Sequence, residues 1–225
     1  MKKNFFLFFV GTLFLSPLSA EAMFTDVPEV SSNYEAILYV QSRGLVQGYS
    51  DGSYQPNAKI NRYDFTKIII SARFSEEDIF RCNTTEYFFS DVAQGQWFTP
   101  YICTAKKNGI ISGFGDDTFR GEENVTMYEA LKIIFETYEV DTSSYEKPEQ
   151  EWYEKYIDDA KSTGLLVDAS HEANDTITRG NMAELIFRQE VPINEKAMPK
   201  ETPTAKEAPS HSEAESMNEV FRGLD

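Results

Sequence analysis

Ile60-Asn61-Arg62-Tyr63-Asp64-Phe65 returns as Val125-Thr126-Met127-Tyr128-Glu129-Ala130, and again as Ile177-Thr178-Arg179-Gly180-Asn181-Met182. Each copy sets a β-branched residue before a polar tetrapeptide suited to open a helix. Apolar residues then follow at the same spacing: Phe65/Ile68/Ile69, Ala130/Ile133/Ile134 and Met182/Leu185/Ile186. One helix face is written three times. A unit this short cannot bury its own apolar face, so it must pack on its neighbours, and the grooves between such units are natural binding sites.

Outward from the tetrapeptide, the first two copies keep a constant offset of 65 residues, which carries Phe24 to Phe89, Asp26 to Asp91, Gly44 to Gly109, Gly48 to Gly113 and Tyr54 to Phe119. The third copy keeps an offset of 55 through its first helix (Trp97 to Trp152, Gly109 to Gly164) and of 52 from Thr126 to Thr178. Its middle loop is therefore three residues shorter, and Asp168 stands where the others have Gly48 and Gly113. Within a copy the reading is helix, loop, helix. The first helices are expected roughly over 34–43, 99–108 and 152–163, each stopped by a glycine (Gly44, Gly109, Gly164) able to take the left-handed closing conformation. The second helices start at the tetrapeptide. An all-α chain of six main helices with little strand follows.

Residues 1–22 join Lys2 and Lys3 to an apolar run from Phe5 to Leu15 and a small-x-small site at Ala20-Glu21-Ala22, the pattern of a secretory signal peptide cleaved before Met23. An uncleaved anchor is the alternative, but the run is shorter than the ~20 residues of a spanning helix. No other segment could cross a bilayer, so no membrane span is expected after cleavage. From Val191 the composition turns to Pro, Glu, Lys, Ser and Ala, predicting a disordered acidic tail over 191–225 that is either a spacer or a docking peptide ending in Asn218-Glu219-Val220-Phe221. The expected division is a signal peptide at 1–22, repeats at 23–75, 76–140 and 141–190, and the tail.

The 37 acidic against 21 basic side chains give a net charge of −16, which disfavours nucleic acid or an anionic membrane as partner. A local site for an anion remains compatible with that balance. Cys82 and Cys103 are the only cysteines. In an exported chain they are expected to pair, closing a ~20-residue loop worth roughly 3 kcal/mol; two free buried thiols are the alternative. With His171 and His211 far apart, no metal site and no cofactor is expected. Asp51-Gly52 and Asp116-Asp117 read as turns, since neither has the alternating ligands of a calcium loop.

Thr126-x-x-Glu129 matches a capping box, Asn61-x-x-Asp64 is a weaker version and Thr178-x-x-Asn181 a partial one, so Asn61, Thr126 and Thr178 are read as helix caps worth ~1 kcal/mol each. Arg62 and Arg179 are harder to place, because a cation at the positive end of a helix is unfavourable. Something negative should sit nearby. Two readings are open: an internal carboxylate, such as Asp26 or Asp91, or an external anion held by the guanidinium together with free helix amides.

The combination Phe24-Thr25-Asp26-Val27, Leu45-Val46-Gln47-Gly48-Tyr49-Ser50-Asp51-Gly52-Ser53-Tyr54-Gln55-Pro56 and Ile60-Asn61-Arg62-Tyr63-Asp64-Phe65 resembles an S-layer homology domain. Phe89-Ser90-Asp91-Val92 with Trp97-Phe98, Gly109 to Phe114 and Val125 to Ala130 resembles a second. Trp152-Tyr153, Gly164-Leu165 and Ile177 to Asn181 resemble a degenerate third. The likeness spans about three quarters of the chain. It implies a triple module in a pseudo-threefold arrangement around a central three-helix bundle. It also implies an exported protein held at the bacterial cell surface without a covalent bond, by secondary cell-wall polysaccharide, often pyruvylated, in grooves between repeats.

Carried over residue by residue, the likeness gives Arg62 and Arg179 the carboxylate of that glycan, Asp26 and Asp91 its hydroxyls or neighbouring amides, and Gly48 and Gly113 close backbone approach. Trp97 and Trp152 either offer flat faces to sugar rings or belong to the core. The chain departs from the family pattern at Met127, which replaces the arginine of copy two, and at Ser32-Asn33, where the other copies have Trp-Phe or Trp-Tyr. The competing reading is a structural, protein-interaction component of the surface without direct glycan binding, with other envelope proteins as partners of the tail. No enzyme is expected: two histidines supply no nucleophile–histidine pair, and no two carboxylates stand out as facing across a cleft.

Overall fold

The three tetrapeptides each start a helix: α2 (Arg62–Arg73), α5 (Met127–Thr137) and α7 (Arg179–Glu190). The computed structural model describes residues 24–82, 89–166 and 174–191. The expected signal peptide, Asp168, both histidines and the tail beyond residue 191 lie outside the described residues. Asn61 accepts the Asp64 amide at 2.8 Å. Thr178 and Asn181 form a complete capping box, with the Asn181 amide on Thr178 Oγ1 at 3.1 Å and the Thr178 amide on Asn181 Oδ1 at 2.9 Å. At α5 the Glu129 carboxylate accepts from both the amide and the hydroxyl of Thr126, at 2.9 and 3.0 Å.

The first helices are α1 (Tyr34–Ser42), α4 (Thr99–Lys107) and α6 (Glu154–Ser162). Each ends a residue short of the expected boundary, because the residue before the glycine already serves as the cap. At α1, Gly44 (φ +68°) donates to Gln41 O and Leu45 to Val40 O, which satisfies the last carbonyls. α6 begins at Glu154 rather than Trp152, since Tyr153 takes the N-cap position. Two elements escaped the repeat pattern: α3 (Glu76–Phe80), capped by Ser75, and a 3-10 turn at Ser143–Tyr145. Among the described residues there are thus seven α-helices rather than six, with isolated bridges in place of strands.

The segment before each tetrapeptide closes a three-way ring. The Ile60 amide donates to Ile177 O (3.4 Å), Ile177 to Val125 O (3.0 Å) and Val125 to Ile60 O (3.0 Å). A second ring lies outside it: Arg62 N to Glu123 O, Met127 N to Asp175 O and Arg179 N to Ala58 O, at 2.9 to 3.0 Å. First-turn amides that a lone helix would leave unsatisfied are therefore used by the neighbouring copy. Helix packing follows the same order, α2 on α4, α5 on α6 and α7 on α1. Of the possible pairs of second helices, only α2–α5 is a principal contact. Ile60, Val125 and Ile177 are all buried, as are Phe65, Ile69, Ile134, Met182 and Ile186 of the recurrent face.

Two further ties hold the ring. Cys82, just past α3, is disulfide-bonded to Cys103 on α4. Glu190, at the end of α7, accepts from Tyr39 Oη of α1 (2.8 Å) and Tyr138 Oη after α5 (2.7 Å), and pairs with Arg43. One carboxylate thereby joins all three copies.

Candidate functional site

Arg179, the first residue of α7, reaches out of its own copy into copy one. Its Nε donates to Tyr54 O at 2.8 Å, Tyr54 Oη returns a bond to Arg179 O at 2.9 Å, and the guanidinium lies over the rings of Tyr54 (4.7 Å) and Tyr49 (5.1 Å). There it borders a groove of about 500 Å³ formed by the Gly44–Gly48 loop and by Asp64, Lys67 and Ile68 of α2. Among the described residues no carboxylate forms an ion pair with Arg179.

Arg62 repeats this placement one copy on, with a different outcome. Its Nε donates to Phe119 O (2.9 Å) and its guanidinium lies over Phe119 (4.7 Å) and Phe114 (5.1 Å). It borders a second groove of about 380 Å³, with Ile110 to Gly115, Glu129, Lys132, Ile133 and Trp152. Here Glu129 Oε1 pairs with Arg62 Nη1 at 2.9 Å, and the arginine is only 6% exposed. Burial pulls the Arg62 pKa down while Glu129 pulls it back up. Glu129 and Asp64 hold the same place in their copies, third residue of the second helix. Glutamate is one methylene longer; Glu129 pairs with Arg62, while Asp64, which lines the Arg179 groove, forms no ion pair with Arg179 among the described residues.

The sequence had suggested Asp26 or Asp91 as the internal partner of the arginines. Both are committed elsewhere. Asp26 accepts from the amides of Tyr54 (2.7 Å) and Gln55 (2.8 Å), and Asp91 from those of Phe119 and Arg120 (both 2.7 Å). Gln55 (φ 59°) and Arg120 (φ 56°) sit in the left-handed region, so each aspartate pins a strained turn whose preceding carbonyl receives an arginine Nε. Free helix amides as an anion cradle are likewise ruled out, since those of Arg62, Tyr63, Arg179 and Gly180 all donate to carbonyls of the neighbouring copy.

Gly48 (φ +70°) and Gly113 (φ +78°) line the two grooves, and what approaches them closely is a ring. A Cβ on Gly48 would stand 2.3 Å from Phe24 Cε1, and one on Gly113 2.1 Å from Phe89 Cε1. Trp97 and Trp152 are not core residues, being 52% and 50% exposed. Each precedes an aromatic that is stacked on the residue after the arginine position: Phe98 on Tyr63 (3.7 Å between centroids) and Tyr153 on Tyr128 (4.3 Å). Lys67 lies over Trp97 (5.6 Å) and Lys132 over Trp152 (5.4 Å). Sequence reasoning passed over this lysine pair, although the same 65-residue offset relates them. The Arg62 groove thus draws its arginine from copy one, its loop and second helix from copy two, and Trp152 from copy three, whereas copy two lends the Arg179 groove Tyr101.

Both departures in the sequence fall in one place. Met127, whose amide donates to Asp175 O, occupies the arginine position beside copy three; Ser32 occupies the tryptophan position, and Asn33, which donates to Gly180 O at 3.3 Å, stands where the other copies have the stacked Phe98 or Tyr153. Among the described residues that side has neither the cation nor the flat ring.

Residues 24–66 and 88–126 each match the family model described as "S-layer homology domain". Two stretches of the chain are thus similar to S-layer homology domains. The first matched domain contains Arg62 and Asp64; the second contains Asp91 and Trp97 and ends at Thr126. The chain is 29% identical over 115 residues to the middle cell wall protein of Brevibacillus brevis, covering 51% of this chain and 11% of that protein. It is 29% identical over 99 residues to a cellulosome-anchoring protein of Acetivibrio thermocellus (44% and 22%). Identity to the exoglucanase XynX of the same species is 27% over 160 residues (66% and 14%). The chain thus matches only a minor part of the length of each of these relatives.

Proposed function

We propose that the chain is held at the bacterial cell envelope through non-covalent binding of an acidic wall polysaccharide, and that the Arg179 groove takes the glycan's carboxylate. The observation that carries this reading is the state of Arg179: a guanidinium oriented by Tyr54 and two aromatic rings, bordering a ligand-sized groove, with no carboxylate partner among the described residues. The naming of relatives as cell-wall, surface-layer and anchoring proteins supports the envelope as the site of action. Arg62, already neutralised by Glu129, contributes cohesion between copies one and two more than charge to a ligand. A pyruvate ketal carries a carboxylate of the right kind for the Arg179 groove, which Lys67 also lines, its ammonium over the Trp97 ring. The match to S-layer homology domains, and to relatives named as wall and surface-layer proteins, supports a binding module.

The test is co-sedimentation with wall sacculi, before and after mild acid treatment that removes ketal-linked carboxylates. The expected result is retention on untreated sacculi that falls sharply on treated ones. Equal retention on both would reject the carboxylate.

A further inference from the structure

The Arg62 groove does not end at Trp152. A second recess of about 350 Å³, lined by Glu146, Lys147, Gln150, Lys155 and Tyr156, shares Lys132 and Trp152 with the groove. Trp152 therefore borders both cavities. Its ring makes T-shaped contacts with Tyr128 (6.1 Å), Tyr153 (5.6 Å) and Tyr156 (6.3 Å), and Trp152 stays half-exposed.

Three of the four cations along this path are matched internally. Arg62 pairs with Glu129, Lys147 with Asp158 (2.6 Å) and Lys155 with Glu146 (2.6 Å). Lys132, over the ring, is the one cation of the path without an ion pair among the described residues. Paired charges offer donors and acceptors side by side without net charge, which suits vicinal hydroxyls, and an open indole face suits the C–H face of a pyranose. The Arg179 groove presents the opposite case, an unpaired guanidinium.

We propose that the Arg62 groove and the recess beyond Trp152 form one extended subsite for an uncharged stretch of at least two sugar units, laid across Trp152. This rests on the reading of the chain as a wall-glycan binder. It adds that the two grooves do different work, the Arg179 groove taking a charged unit and the Trp152 path taking internal neutral units. A ligand confined to one groove would gain nothing from chain length; one crossing Trp152 would.

The experiment is calorimetric titration of the full chain with wall polysaccharide freed of its acidic substituents and fractionated into single units and longer fragments. Wild type should bind the longer neutral fragments about tenfold more tightly than single units. Trp152→Ala and, as a surface variant that leaves the aromatic stack untouched, Gln150→Ala should each lower that gain. Arg179→Ala should leave it unchanged. Length-independent affinity in wild type, or an undiminished gain in both Trp152→Ala and Gln150→Ala, would overturn the extended subsite while leaving the envelope-binding reading intact. Binding of neither native nor stripped polysaccharide by wild type would overturn both.

Discussion

Asp64 and Glu129 differ by one methylene at equivalent positions, and only Glu129 pairs with the arginine beside it among the described residues. Asp64→Glu should extend a carboxylate toward Arg179, and the predicted result is a new ion pair between Arg179 and the lengthened side chain, with at least tenfold weaker retention on wall glycan, measured by co-sedimentation. Arg62→Ala should act on stability instead. It strands the Glu129 carboxylate and Phe119 O, and should cost about 3 kcal/mol in denaturant unfolding. Asp159 gives a pH prediction. Its Oδ1 is buried without a hydrogen-bond partner, and burial raises its pKa, reinforced by Asp141 and opposed by Thr163. A carboxyl whose folded pKa lies above its unfolded value stabilises the fold while both are protonated, below about 4, and loses that contribution as pH rises through the folded pKa. Asp159→Asn should therefore raise the thermal midpoint at pH 7 and leave it nearly unchanged at pH 3. Arg62 and Arg179 were legible as residues needing a negative partner. That Glu129 would supply it for one and nothing for the other was not, because a capping glutamate and a pairing glutamate look alike in sequence.

At the scale of elements, the repeat predicted the starts of the second helices to the residue, since a cap and an apolar spacing both mark them. First-helix ends drifted by one or two residues because the glycine marks the residue after the cap, not the cap itself. α3 and the Ser143–Tyr145 turn were invisible because they belong to the connections, which the repeat does not constrain. The connection after α2 is also where the disulfide acts. With a sequence separation of 21 residues, the Cys82–Cys103 bond should contribute about 3 kcal/mol by limiting the unfolded chain. The paired Cys82→Ser/Cys103→Ser variant should unfold at correspondingly lower denaturant, with the helical circular-dichroism signal retained in water.

For the whole molecule, the sequence indicated three related units but not how one unit's arginine serves another's groove. That arrangement follows from the ring of amide bonds through Ile60, Val125 and Ile177, which sets each second helix's first residue against the loop of the next copy. It also places both departures, Met127 and Ser32-Asn33, on one side, leaving two arginine-bearing grooves that differ in charge state. The most direct measurement of this account is the affinity of the purified chain for wall polysaccharide, by calorimetry, in wild type, Arg179→Ala and Arg62→Ala. In denaturant-free buffer where all three remain folded, the account predicts at least tenfold weaker binding for Arg179→Ala and a smaller change for Arg62→Ala. Unchanged affinity in Arg179→Ala would contradict it.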